Sequence, residues 1–396
     1  MQRYPGGCQS PICCRDCKAG AMSELWGVSV IVVNYNNAEF LAAAIESALG
    51  QEHPLCEVIV VDDCSTDASR AIISCYSDRV RCLIREANGG QVVAQDSAWP
   101  LARYPILIFL DSDDLLFPNA AATVAGIWTP ETVKAQAPLA TIDKMGRQLG
   151  HVAPKYPPNL DTATLRTELL RGGGSPNSPG SGNAYSRSLL ESLSADGAFD
   201  LENPRDYHMD ALLECNAPFY GEVVTIYEPL GCYRIHDSNI YAMNAIENAR
   251  FAMKRRTFEL KVDYLARRCQ HWGIPFDAAA ARNGSIWLHE CRLATAKLTE
   301  DPADEPISTT LRAAIKACNG AQLSSVNRIL RIVWFVSVAA APRALARRLI
   351  AFRFIPSQRP AWFEAVFTTI LGVAAYARGQ HKRRRNRTPE ISPGHL

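Results

Sequence analysis

Three short apolar runs, each stopping on a polar cluster, constrain this chain more than any other feature. Val28 to Val33 is a nearly unbroken β-branched run that ends on Asn34-Tyr35-Asn36-Asn37. Val58 to Val61 runs into Asp62-Asp63, and Ile106 to Leu110 into Asp111-Ser112-Asp113-Asp114. Apolar runs without alternation predict strands buried on both faces. Between the first two, Phe40, Leu41, Ala44, Ile45 and Leu49 recur at helical spacing, with Gly50 placed to end the helix. Ser65-Thr66-Asp67 is a start signal for a helix through Ala71, Ile72 and Cys75. Val80 to Ile84 then reads as a strand, and Val92 to Leu101 as a helix. Such alternation predicts βαβ units and a parallel sheet. Right-handed crossovers bring Asn34–Asn36, Asp62 and Asp111 to one edge of it. That carboxyl edge is where open α/β sheets bind ligands.

The acids at that edge imply a chemistry. Carboxylates crowded as closely as Asp111, Asp113 and Asp114 repel one another, and a cation relieves the repulsion. Hard oxygen donors suit Mg²⁺ or Mn²⁺, which can also bridge to phosphates. Two strand-end acid sites about 50 residues apart suggest a phosphate-bearing ligand, held by a metal and read at its other end. The bland alternative for either site is an Asp-rich turn that caps a helix.

After the helix starting near Pro118 the pattern loosens. Val133 to Ile142 reads as one or two strands, and Gly172 to Gly182 as a flexible loop. Gly182-Asn183-Ala184-Tyr185-Ser186 leads into a helix carrying Leu189, Leu190 and Leu193. Asp206 to Cys215 reads as a helix, and Val223–Tyr227 and Tyr233–His236 as extended segments. From about Tyr241 the chain is mostly helical. Ile332–Ala341 and Ala365–Ala377 are apolar runs shorter than the roughly 20 residues that span a bilayer. Trp334, Phe335, Trp362, Phe363 and Phe367 stand beside Arg343, Arg347, Arg348 and a basic tail. The pattern fits ordinary amphipathic packing, and it also fits a helix lying on an anionic membrane surface. The expected organisation is an arm (1–26) that is disordered or not translated, an α/β domain (27–240), a helical region (241–380) and a disordered basic tail (381–396).

The formal charge of +2 over 396 residues argues against a dedicated nucleic-acid binder. Thirteen cysteines, many within expected strands and helices, lack a secreted disulfide framework and suggest a reducing, cytoplasmic setting. Cys14-Arg15-Asp16-Cys17, with Cys8 and Cys13, has zinc-knuckle density but nothing to pack around it. Met22, just before the first strand, is a candidate translation start, and no signal peptide is recognisable.

Taken in order, these pieces resemble a family 2 glycosyltransferase of the inverting GT-A type over about residues 27 to 240. The resemblance rests on Val30-Ile31-Val32-Val33-Asn34-Tyr35-Asn36 and on Val58 to Asp67. It continues through Asn88-Gly89-Gly90-Gln91, Phe109 to Asp114, Ser181 to Tyr185, and Tyr233 to Asn239. It implies a Rossmann-like, mostly parallel sheet with flanking helices. It also implies that Asn34, Tyr35, Asn36, Asp62, Gln91, Asp111, Ser112 and Arg234 hold the nucleotide sugar. Asp113, the second acid of a D-x-D, and His236 would hold Mn²⁺ or Mg²⁺ on the diphosphate. Asp114, Gly182 and Asn183 would shape the acceptor side, and Asp206 would be the catalytic base, with Asp210 its close competitor one turn later. Three positions depart from the family's habit: Arg205 stands for Glu, Asp96 for Asn, and Cys64 for Gly in a tight turn.

The expected function is transfer of a sugar from a nucleoside diphosphate, uridine being the family's usual choice, to a saccharide or lipid-linked hydroxyl in cell-surface polysaccharide synthesis. Peripheral contact with the inner face of the membrane through the C-terminal helices belongs to that expectation. A nucleotidyltransferase is the near alternative, but Asn34–Asn37 has neither the glycines nor the lysine of its usual loop. A non-catalytic binding protein on the same fold is the other.

Overall fold

The computed structural model describes residues 26–236, 239, 246–299, 305–321 and 323–355. The N-terminal arm with its cysteine cluster, the apolar run 365–377 and the basic tail lie outside the described residues. A seven-stranded sheet organises the first part of the chain. It is built from β1 (Val28–Asn34), β2 (Cys56–Asp62), β3 (Arg81–Ile84), β4 (Ile106–Asp111), β6 (Thr132–Gln136), β9 (Asn183–Ser186) and β10 (Glu222–Thr225). Their order is β10-β6-β9-β4-β1-β2-β3. All pair in parallel except β9, which runs against both β4 and β6. A second, four-stranded sheet joins β5 (Leu115–Leu116), β11 (Gly231–Ile235), β7 (Leu139–Asp143) and β8 (Gln148–Ala153) in that order.

Alternate residues of the central strands feed two cores. Val30, Val32, Val58, Val60, Ile108 and Leu110 face α1 (Ala38–Leu49) and the later α4 (Ala120–Ile127). Ile31, Ile59, Val61, Leu107 and Phe109 face the opposite layer. That layer includes α3 (Gln91–Ala98), α6 (Arg187–Ala195) and α7 (Met209–Tyr220), while α2 (Ser69–Ser74) follows β2 and α5 (Thr162–Gly172) packs on α7. Burial of both faces explains why these strands read as unbroken apolar runs.

The helical region follows as α8 (Asn248–His271), α9 (Ala278–Gly284), α10 (Ile286–Leu298), α11 (Ile307–Gly320), α12 (Ser325–Ala340) and α13 (Arg343–Phe354). It has its own core, centred on Phe251, Cys291, Leu293, Phe335, Val338 and Ile350. Polar ties lock α8 onto α7. Lys261 Nζ lies 2.6 Å from Glu214 Oε2, and Arg268 Nε donates to Asn216 Oδ1 at 2.8 Å. Every described cysteine is a free thiol.

Two expectations need correction here. The helix expected from Asp206 starts at Met209, while Asp206 ends a separate 3₁₀ turn, Pro204–Asp206. Asp206 and Asp210 therefore do not share a helix face. The short strands β5 and β8 and helix α5 were not anticipated. Two residues are too few for a period to show in β5, and in β8 Gln148, Gly150 and His151 interrupt Leu149, Val152 and Ala153, so it leaves no apolar run.

Candidate active site

Register brings the polar strand ends together. Asn34 pairs with Asp62 across β1 and β2, and Val33 with Asp111 across β1 and β4. The two loops leaving β1 and β2 are laced to each other. Asp62, fully buried, accepts from Asn34 Nδ2 at 2.8 Å, from Ser65 Oγ at 2.5 Å and from the Ser65 amide at 2.9 Å. Asn36 Oδ1 accepts from the Thr66 amide at 2.8 Å. Asn36 and Cys64 both take positive φ, 53° and 65°, so Cys64 occupies the left-handed position that explains the family's glycine. Asp62 thus faces inward and holds the loops in place, while Tyr35, 48% exposed, is the apolar surface they present.

Asp63 anchors the next wall. Its carboxylate pairs with Arg85 and accepts from the Gly90 amide at 2.7 Å and the Gly89 amide at 3.0 Å. Arg205 closes on the same segment, donating to the Asn88 carbonyl and packing over Gly90. Asp96 is bonded to the Trp99 indole at 2.9 Å. Two of the departures are therefore accounted for: Arg205 ties down the Gly89-Gly90 loop, and Asp96 secures its own helix.

Gln91, at the start of α3, donates from Nε2 to Asp111 Oδ1 at 3.1 Å, and its Oε1 is buried without a partner. On the other side Gly180 presses against Asp111, so that a Cβ there would sit 2.8 Å from Asp111 Oδ2. Ser112 receives a hydrogen bond from Asn37 at 3.1 Å, tying the acidic turn to the β1 loop. Asp113 Oδ2 lies 2.9 Å from His236 Nε2. Arg234 donates from Nε to the Asp113 carbonyl at 2.8 Å, and its guanidinium stacks 4.9 Å from the Phe40 ring, which also packs on His236. Asp114 is fully buried. It accepts from Ser181 Oγ at 2.7 Å and from the Arg234 amide at 2.9 Å, so it joins the acidic turn to the 180–183 segment and to β11. Within that segment Asn183 Nδ2 donates to the Pro179 carbonyl at 2.9 Å. Gly182 leaves no room for a side chain against the Ala137 carbonyl, 2.6 Å from the position its Cβ would take.

The electrostatics follow from this crowding. Burial first, then the charges of Asp113 and Asp210, push the Asp111 carboxyl up to about 7. Burial, then Asp113 and Asp111, push Asp114 well above the usual carboxylate range. Asp210, in the first turn of α7, is raised by burial and by Glu214, and partly offset by His208. Asp210 thus lies within electrostatic reach of Asp111, although sequence reading placed it second. Asp206 points elsewhere, with Oδ2 2.9 Å from Arg256 Nη2 and a third of its side chain exposed. The missed signal is Met209 with Leu212 and Leu213, whose burial marks the first turn of α7 and makes Asp210, not Asp206, the acid at its start.

Among the described residues no three His, Cys, Asp or Glu side chains form a ready-made metal cage. Asp113 and His236 are adjacent donors beside further acids. Such a partial set fits Mg²⁺ or Mn²⁺, which ordinarily take one or two carboxylates and complete their shell from phosphate and water.

Residues 29–194 match the model of Glycosyl transferase family 2. An uncharacterized glycosyltransferase of Nostoc sp. is 32% identical over 219 residues, covering 54% of this chain and 66% of that protein. The putative teichuronic acid biosynthesis glycosyltransferase TuaG of Bacillus subtilis is 41% identical over 90 residues, 22% of this chain and 36% of TuaG. The chain thus spans less than two thirds of the length of these curated relatives. Among solved structures, S. aureus TarS in complex with UDP-GlcNAc aligns over 83% of this chain and 91% of that one, at 16% identity and a TM-score of 0.49. Residues 29–194 are thus a glycosyltransferase family 2 domain, set in a mostly parallel α/β architecture.

Proposed function

We propose that this chain is a metal-dependent inverting glycosyltransferase. It moves a sugar from a nucleoside diphosphate, with uridine as the base, to a hydroxyl of a saccharide or lipid-linked acceptor in cell-surface polysaccharide synthesis. The observation that carries this reading is the convergence of Asp111, Asp113, Asp210 and His236 on the carboxyl edge of one sheet, beside loops laced through Asp62 and Asp63. The relative named for teichuronic acid biosynthesis supports the polysaccharide setting. The free thiols support a reducing, cytoplasmic one. In this reading residues 27–240 are the catalytic domain and 241–380 an appended helical region.

Tyr35 and Asn36 line the base end, with Asn34 and Asp62 holding their loop in shape. Gln91 and Asp111 receive the ribose and sugar, Asp113 and His236 hold the ion, and Arg234 fixes the Asp113 backbone. When bound, the ion offsets negative charge on the departing diphosphate. The acceptor hydroxyl attacks the anomeric carbon as the bond to the diphosphate oxygen breaks, and a carboxylate opposite the diphosphate takes the hydroxyl proton. We assign that role to Asp210 rather than Asp206. Asp210 acts electrostatically on Asp111 and has a raised pKa, which suits a base near neutral pH, whereas Asp206 is engaged with Arg256. Asp114, Gly182 and Asn183 shape the acceptor side by fixing the 180–183 segment.

The test is release of UDP from UDP-sugars without acceptor, with and without Mn²⁺. Slow, Mn²⁺-dependent release supports the proposal. Pyrophosphate release from a nucleoside triphosphate and a sugar phosphate would instead mark a nucleotidyltransferase. Metal-dependent nucleotide binding without turnover of any sugar nucleotide would mark a binding protein.

A further inference from the structure

Helix α12 turns its aliphatic side to solvent. At about 100° per residue, Val326, Ile329, Leu330, Val333, Val336 and Ala340 share one arc, and all are exposed. Ile329 is 59% exposed and Val333 54%. The opposite arc buries Phe335 and Val338, and Arg331 there donates to Glu290 Oε1 at 2.9 Å. A surface helix ordinarily shows the reverse, with polar residues outward. Contiguous exposed apolar surface of this kind marks a docking face. Of the aromatic residues expected to meet a membrane, Trp334 and Phe335 do not line it, and Trp362, Phe363 and Phe367 lie outside the described residues. Phe335 is buried, and the Trp334 indole donates to the Leu349 carbonyl at 3.2 Å.

Charge indicates what this face meets. Residues 306–355 carry eight Lys and Arg and no Asp or Glu. Helix α12 packs against α11 and α13. Arg312 and Lys316 are exposed on the first of these and Arg348 on the second, where Leu345 is also 50% exposed and Arg343 donates to the Lys297 and Leu298 carbonyls at the end of α10. The acid that α10 brings nearby, Glu290, is already paired with Arg331 and Arg353. The face is therefore an aliphatic stripe with a basic border.

We propose that this face docks on an anionic phospholipid bilayer, with α12 lying in the interfacial plane and the basic border against the headgroups. A second copy would set like charges against each other at this border. Among the described residues no helix is long and apolar enough to cross a membrane, and the proposal is of a helix resting on one.

The test is flotation of the full chain with vesicles of phosphatidylcholine, either pure or with about 30% phosphatidylglycerol. The chain is expected to float with the anionic vesicles, at least about tenfold more strongly than with neutral ones, and to be released by salt. Ile329→Ser with Val333→Ser is expected to weaken that partition about tenfold or more while leaving the melting temperature unchanged, because both side chains are exposed. Arg312→Gln, Lys316→Gln and Arg348→Gln together should erode the preference for anionic lipid. Wild-type binding by the Ile329/Val333 variant would overturn the proposal, since basic residues elsewhere would then suffice. So would a wild-type chain that stays off both vesicles. Self-association that the Ile329/Val333 variant abolishes, in a chain that does not bind lipid, would assign the face to a second copy.

Discussion

Replacing Asp210 by Asn separates the two candidate bases most cleanly. The hydrogen bond that Asp210 Oδ1 accepts from the Ala211 amide at 2.9 Å can pass to an Asn carbonyl oxygen. Removing its charge relieves repulsion with Asp111 and Glu214 and forfeits a favourable anion at the start of α7. These effects oppose each other, so the variant should keep its stability within about 1 kcal/mol. Loss of a positioned base costs roughly 10² to 10⁴ in rate, about 3–5 kcal/mol on the barrier. Asp206→Asn removes only an ion pair whose Arg256 side chain is 68% exposed. Such a pair is worth about 0–1 kcal/mol, and turnover should stay within a few-fold of wild type. The assay is UDP release, to acceptor or to water, measured beside calorimetric affinity for Mn²⁺ and UDP. Asp210→Asn should lose turnover while keeping nucleotide affinity. A folded Asp210→Asn protein with near wild-type turnover, together with a hundredfold loss in Asp206→Asn, would refute the assignment and restore Asp206 as the base.

Three further outcomes follow from the same geometry. Asp111 carries a raised folded-state pKa, so its ionisation costs stability in full above about pH 7 and costs nothing below about pH 4. Asp111→Asn should therefore stabilise the metal-free protein at pH 8 by on the order of 1–3 kcal/mol, seen in denaturant melts, while abolishing nucleotide binding. Gly180→Ala would place its Cβ 2.8 Å from Asp111 Oδ2, and the mobile carboxylate rather than the backbone should give way. Unchanged melting with about tenfold weaker donor binding, roughly 1.4 kcal/mol, is expected by calorimetry, and unaltered affinity would show that Asp111 does not touch the donor. Burial lowers Lys134 to about 8, so between roughly pH 8 and 10.5 the unfolded chain holds a proton that the folded chain has lost. Stability contributed by this group should rise with pH across that window, and the rise should vanish in Lys134→Met.

The central sheet was legible in the chain because its strands are buried on both faces and each must be apolar throughout. Val28–Val33, Val58–Val61 and Ile106–Leu110 could hardly serve another purpose, and their polar ends had to emerge at one edge. The D-x-D turn was legible for the same reason, since it ends one of those runs, whereas His236 was expected there only from the family resemblance. What tertiary structure decided lies where neighbours in sequence part company in space. Asp206 and Asp210 are four residues apart, yet an extended link at Tyr207–His208 separates them, so that one pairs with Arg256 and the other acts on Asp111. Asp62 and Asp63 are adjacent, yet one knits the β1 and β2 loops and the other holds Gly89-Gly90. On α12, composition announces an amphipathic helix, but only packing tells that its arginine and aromatic side is the inner one. Glu290, a partner some 40 residues away, pairs with Arg331 on the inner side and leaves the aliphatic side facing out. Local periodicity settles which residues share a face; which way that face turns depends on charges and surfaces contributed by distant segments.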